Sequence, residues 1–244
     1  MNASLTIPIV LGWLAGWLVN YLADVLPRTR RLTPPQCAKC GTPLSPSTYL
    51  FFRPCPSCGA PRPRRGMIVQ IALILLFLWV WLTTPRLGFW VSAILLTYFT
   101  LVTVMDLEHR VVMHPVSLAG AMLGLGIGTW AHGLVSTLIG GIAGFGIMLV
   151  FYYGGVWFAR YLAKRRGQST SETGIGFGDV NLSGVLGLML GWPGILAGMT
   201  LGILLAGAFS IILLIIVLIA RRYQHFLTFP YAPFLVLGAA LILF

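Results

Sequence analysis

The chain carries only five acidic residues: Asp24, Asp106, Glu108, Glu172 and Asp179. Two of them share a placement. Asp106 closes one long apolar run, and Asp179 opens another directly after Gly174-Ile175-Gly176-Phe177-Gly178. A carboxylate at the mouth of a membrane helix is costly unless paired or hydrated, so it is a candidate functional group by default. Two carboxylates held close together cannot both ionise easily. The ionised one can act as general base on a water while the protonated one donates to a carbonyl oxygen. That combination hydrolyses a peptide bond without a covalent intermediate, and its titration belongs to the pair. Asp179 taken alone reads equally well as a helix N-cap. It is the matching Asp106 that suggests a dyad. Gly174, Gly176 and Gly178 are expected to support the site by letting backbone approach closely in conformations other residues avoid. Glu108, beside Arg110, reads as a solvated loop charge. His109 and His114 have no spaced partner and are left outside the site. The competing chemistry is proton relay in a transporter, but that places carboxylates nearer the bilayer midplane.

The second chemical signal is Cys37-Ala38-Lys39-Cys40 and Cys55-Pro56-Ser57-Cys58, with fourteen residues between the pairs and a glycine after each, Gly41 and Gly59. Two such knuckles suit tetrahedral zinc with four thiolates, the alternatives being four reduced, unliganded thiols or a redox pair. With all four positions filled by protein there is no open site for water, so the metal should be structural. Residues 27–66 are rich in proline and lack apolar periodicity. A segment of that kind needs a staple to fold.

The elements that position these groups are apolar helices. Of 244 residues, 58% are hydrophobic and 9% charged, and mean hydropathy is +0.91. Soluble domains carry about 25% charged residues, so the composition excludes an ordinary soluble domain. A membrane helix needs about 20 mostly apolar residues. Eight segments are expected to be helical: Leu5–Leu26, Met67–Thr84, Leu87–Met105, Pro115–Ala131, Leu134–Leu162, Gly178–Leu190, Gly194–Ala220 and Pro230–Phe244. The first lacks a basic n-region and reads as a retained helix, not a removed signal peptide.

Lysine and arginine concentrate in cytoplasmic loops. With the N-terminus outside and eight alternating helices, fifteen of the sixteen Lys and Arg residues face the cytoplasm, Arg86 being the exception. The net charge of +11 is then a topology signal that also favours anionic lipid. No basic helix with interleaved aromatics stands out, so nucleic acid is not an expected partner. In this arrangement Asp106 and Asp179 reach the same cytoplasmic edge, and Ser169–Thr173 is a mobile loop that delivers Asp179. The pairs Gly120/Gly124, Gly140/Gly144, Gly187/Gly191 and Gly194/Gly198 read as ordinary close helix contacts, with a gate or substrate groove as the functional alternative. Trp13, Trp17, Trp90, Trp130 and Trp192 are expected in an outer aromatic belt.

These residues together resemble a known family. Asp106-Leu107-Glu108-His109-Arg110, Gly176-Phe177-Gly178-Asp179, the double cysteine knuckle, Gly16-x-x-x-Asn20 with Leu26-Pro27, and Pro233-Phe234-Leu235 are similar to the bacterial prepilin peptidases. These are aspartic type IV leader peptidases of the inner membrane. The resemblance implies an all-α membrane protein that cleaves the leader of prepilins or pilin-like pseudopilins, with Asp106 and Asp179 as the catalytic pair. It also implies, for many members, N-methylation of the product with S-adenosylmethionine. The chain departs from the family pattern at Asn181 (usually Lys), Met113 (usually Pro), Val25 (usually Arg) and Gln70 (commonly Glu). None of these removes a catalytic carboxylate. They bear on methyl transfer and substrate fit.

The expectation is therefore an all-α membrane protein of about eight transmembrane helices. It comprises a first transmembrane helix over 1–26, a cytoplasmic four-cysteine zinc-type loop over 27–66 and an aspartic peptidase core over 67–244. It would be multi-pass in the bacterial inner membrane with prepilins and lipids as partners. A bifunctional peptidase and methyltransferase, a proton-coupled transporter and a non-catalytic scaffold are the alternatives.

Overall fold

The computed structural model describes residues 3–166, 176–219 and 230–244. Among them the regular structure is helical: α1 (Ala3–Thr29), α2 (Pro46–Leu50), α3 (Arg64–Thr83), α4 (Gly88–His109), α5 (His114–His132), α6 (Leu134–Arg166), α7 (Phe177–Leu190), α8 (Gly194–Ile219) and α9 (Ala232–Leu243). The only strand-like pairing described is a bridge between Gln36 and Pro43. Ser169–Thr173, Gly174, Arg221 and Arg222 lie outside the described residues.

The eight expected segments correspond to all the helices except α2, a single turn capped by Ser45, whose side chain accepts from the Thr48 N–H. α1, α3, α4, α6 and α8 are long and apolar enough to cross a membrane, while α7 and α9 are apolar but shorter. α5 stands apart from these because a histidine at each end and four glycines dilute its apolar content. The chain is a multi-pass membrane protein by these helices.

It divides between Met105 and Asp106 into two compact units. In the first, α1 packs closely on α3. A Cβ on Gly12 would meet the Ile74 backbone at 2.8 Å, and one on Gly16 would meet the Gln70 side chain at 2.8 Å. The Gln70 amide donates to the Trp13 carbonyl at 2.5 Å, and Asn20 donates to the Gly66 carbonyl at 3.0 Å. The Gly16-x-x-x-Asn20 spacing thus serves this helix pair. Trp17, expected in an outer belt, instead packs against the buried cysteine cluster. It stacks on Tyr21 at 5.9 Å between ring centroids, so its position on α1 belongs to the loop end.

In the second unit the densest packing is α6 on α7, backbone against backbone. Cβ atoms on Gly140 and Gly144 would lie 2.4 Å from the Gly187 carbonyl and 2.3 Å from the Ser183 carbonyl. α8 and α9 repeat the device, with Gly238 set so that a Cβ would meet the Gly198 carbonyl at 2.4 Å. In lipid there is little hydrophobic drive between helices, so small residues that allow such contact hold them together.

Candidate active site and metal centre

α4 ends because Arg110 turns left-handed, at φ 52°, and its N–H closes on the Asp106 carbonyl at 2.9 Å. Asp106 is thereby left on the last turn, buried at 5% exposure. The chain then runs past Val112 to α5, where Met113 is extended and Pro115 stands in the first turn. Val112 packs on Gly178: a Cβ there would sit 3.1 Å from the Val112 Cβ. The glycine next to Asp179 therefore sits at a close approach, where a side chain would press on Val112. Gly176 has a different role. Its φ is −83°, open to any residue, and its N–H donates to Asp179 Oδ2 at 3.2 Å. The sequence-based reason for a glycine there does not hold, and Gly174 falls outside the described residues.

Asp179 is buried at 8% exposure and is close enough to Asp106 for their charges to interact. The structure thus brings together two carboxylates more than seventy residues apart. Asp106 Oδ2 also accepts the Ala232 N–H at 3.1 Å, a buried bond. Ala232 opens α9, so the positive end of that helix faces Asp106. Tyr231, the preceding residue, lies within electrostatic range of Asp179. Neither Tyr231 nor the Ala232 N–H was expected from the sequence. Pro233, a residue common in a helix's first turn, was the available signal. Glu108 faces His109 at 3.9 Å; it is an exposed charge as expected, but it stands on the last turn of α4 and not in a loop.

The four cysteines converge as two equivalent turns. The Cys37 and Cys55 N–H groups bond the carbonyls of Thr42 and Ala60, at 2.9 and 3.0 Å. The Gly41 and Gly59 N–H groups return to the Cys37 and Cys55 carbonyls, both at 2.9 Å. Both glycines adopt left-handed φ, 72° and 66°, which explains a glycine after each pair. All four sulfurs lie within 4.8 Å of one another, with Cys37–Cys58 at 3.7 Å and Cys40–Cys55 at 3.6 Å. A tetrahedral site with bonds of about 2.3 Å sets sulfurs about 3.8 Å apart, and a disulfide needs about 2.05 Å. The cluster fits a metal ion. The Thr42 hydroxyl beside Cys55, with backbone bonds from Cys58 and Ser57, holds that thiol down at about 6, while the neighbouring thiols and burial push Cys58 up to about 12.

Asp24, which the sequence left without a role, ties this loop to α1. It accepts from the Tyr49 hydroxyl at 2.5 Å, from Arg62 at 3.4 Å and from Arg65. The Arg62 guanidinium also stacks over the Tyr49 ring at 4.0 Å. Burial and the Asp24 charge push the Tyr49 hydroxyl well above the usual tyrosine range, so it stays protonated and keeps donating.

Residues 93–219, which hold both aspartates, match the sequence model of the type IV leader peptidase family. The chain belongs to the type IV leader peptidase family. The cysteine loop and α9 lie outside the matched stretch. A curated relative, the prepilin leader peptidase/N-methyltransferase of Pseudomonas aeruginosa, is 29% identical over 213 residues, covering 83% of this chain and 68% of its own. No solved structure gives a significant match.

Proposed function

We propose that this leader peptidase family member cleaves the leaders of prepilins or pilin-like pseudopilins at the cytoplasmic face of the membrane, with Asp106 and Asp179 as its acid–base pair. The observation that carries this is the convergence of two buried carboxylates, each held by one backbone N–H. In the reaction, the ionised carboxylate takes a proton from water as the oxygen attacks the scissile carbonyl carbon. The protonated carboxyl donates to the carbonyl oxygen. Collapse of the tetrahedral adduct breaks the C–N bond, and the leaving amine takes up the proton. The transporter reading has no comparable support.

The cysteine cluster would hold one structural zinc, the metal best matched to four thiolates at tetrahedral spacing. Its Cys37, Cys40, Cys55 and Cys58 ligands would stabilise residues 27–66 without touching the reaction. The Lys and Arg distribution supports an inner-membrane topology with that loop and both aspartates inside. Methyl transfer, part of the name of the Pseudomonas relative, would need S-adenosylmethionine and is assigned here to the cytoplasmic loop rather than the dyad.

The test is purified full-length protein in lipid, incubated with a pilin precursor and read by product mass. A single cut at the leader junction is expected, and an uncut precursor would overturn the reading. Added S-adenosylmethionine and a pre-cleaved pilin, with Asp106→Asn enzyme, separate the activities. Methylation that persists there places it outside the dyad, and methylation lost there returns it to the dyad.

A further inference from the structure

α6 is too long for the membrane it crosses. Its 33 residues span about 50 Å at 1.5 Å per residue, against a hydrocarbon core of about 30 Å. The core takes roughly 20 residues, which brings the helix from Leu134 to the neighbourhood of Tyr153. The remaining turns carry Tyr153, Trp157, Tyr161 and Arg165, four residues at i, i+4 spacing on one face. The last three are in contact as a ladder. Trp157 stacks on Tyr161 with centroids 6.0 Å apart and planes 18° apart, and the Arg165 guanidinium lies 4.8 Å over the Tyr161 ring. The aromatic rungs are open: Tyr153 is 61%, Trp157 70% and Tyr161 43% exposed. Exposed Arg160 and Lys164 flank the ladder, and α6 contains no acidic residue.

We propose that this face is an anchor for anionic lipid headgroups. Three observations favour a lipid surface over any other occupant. The ladder continues without a break from the hydrocarbon-spanning part of the same helix. Its residue types follow depth, with Tyr and Trp where amphipathic rings settle at the headgroup level and cations beyond them. A helix tilt of about 30°, within the usual range, sets Trp157 at the hydrocarbon boundary and Tyr161 about 5 Å beyond it, in the headgroup layer, with Arg165 at that layer's outer edge. The expectation that no basic helix here is interleaved with aromatics is corrected by this segment, but its aromatic end lies at the hydrocarbon boundary, where no nucleic acid reaches. At the inner end of the ladder Tyr152 makes an edge contact with Phe177, at 5.8 Å and 81°. Tyr152, the neighbour of Tyr153, thus ties this end of α6 to the start of α7, two residues before Asp179.

The experiment uses full-length protein reconstituted in vesicles of phosphatidylglycerol with brominated phosphatidylcholine. The signal is the emission difference between wild type and Trp157→Phe, a substitution that keeps an aromatic ring; circular dichroism checks the fold of each variant. The expected result is a blue-shifted Trp157 emission that brominated lipid quenches and aqueous iodide does not. The quenching should weaken in purely zwitterionic vesicles and in the combined Arg160→Gln, Lys164→Gln, Arg165→Gln variant, because each basic residue near an anionic surface contributes about fivefold to its attraction. Emission at the aqueous wavelength with iodide quenching would overturn the proposal. Equal quenching in zwitterionic and anionic vesicles would overturn its headgroup specificity, and quenching that appears only on adding a single-stranded oligonucleotide would assign the face to nucleic acid instead. The readout does not use cleavage, so this anchor and the peptidase reading stand or fall separately.

Discussion

The cysteine loop and the aspartate pair are held by opposite physics. Residues 27–66 are polar and proline-rich, and their buried cluster amounts to Cys37, Leu44, Tyr49 and Cys55. So small a core cannot offset the entropy of ordering the segment. What holds it is discrete: four sulfurs at metal-binding separations and one carboxylate shared by Tyr49, Arg62 and Arg65. The aspartates are placed by apolar helices that approach through glycine, with no ion pair between those helices among the described contacts. A staple can be removed one ligand at a time and leave the helices standing. Glycine packing cannot be loosened locally, because a methyl group inserted there meets backbone. The contrast orders the expected effects of mutation.

The largest effect is chemical. Asp106→Asn and Asp179→Asn should each lower the rate of precursor cleavage by roughly 10²–10⁴-fold, the usual worth of acid–base catalysis. The double variant should be no worse than either single one, because the two act as a unit. Near-normal cleavage by either single variant would show that the two do not form a dyad. The variants should melt like the parent when followed by circular dichroism.

Next come the helix contacts. Gly144→Ala places a Cβ 2.3 Å from the Ser183 carbonyl. Overpacking of this kind costs about 1–3 kcal/mol, so the melting temperature should fall and cleavage with it. Gly154→Ala, on the same helix with open space around it, should leave both unchanged. If the two substitutions behave alike, close backbone packing is not what positions α7.

The loop should respond locally. Cys37→Ser should abolish stoichiometric metal, which elemental analysis should place at about one zinc per chain for a single four-thiolate site. It should also expose residues 27–66 to limited proteolysis while α5–α9 remain protected. A metal-free wild-type protein with an equally resistant loop would contradict the metal-centre reading. Asp24→Asn is the mildest of the set. It keeps a polar side chain but removes the charge from a partly buried network, a loss of roughly 3 kcal/mol at most if the partners cannot rearrange. Faster proteolysis of the loop with metal retained is the expected result, and unchanged proteolysis would show that the ion pairs contribute little.

How much of this was legible in the sequence follows from the range of the interactions. The helices were, because a run of apolar residues long enough to cross a bilayer has few alternatives. Leu134–Leu162 became Leu134–Arg166, and Gly178–Leu190 became Phe177–Leu190. The cysteine site was, because each knuckle is local and its glycine reports the left-handed turn it needs. The α2 turn was not, since five residues carry too little periodicity. Trp17 was misplaced because an aromatic residue on an apolar helix reads the same whether it meets lipid or a folded loop.

The sequence alone thus determined the membrane class, the helix order, the four cysteines that cluster where a metal ion could sit and the identity of two carboxylates out of place in an apolar chain. Only the tertiary structure decided what surrounds them. Gly178 lies closely against Val112, Asp106 is held by the N–H of a residue 126 positions away, and Asp24 gathers two arginines and a tyrosine. Each of these is a contact between segments remote in the chain. Such contacts leave no period and no spacing to read, because what selects them is the shape left between helices after they have packed.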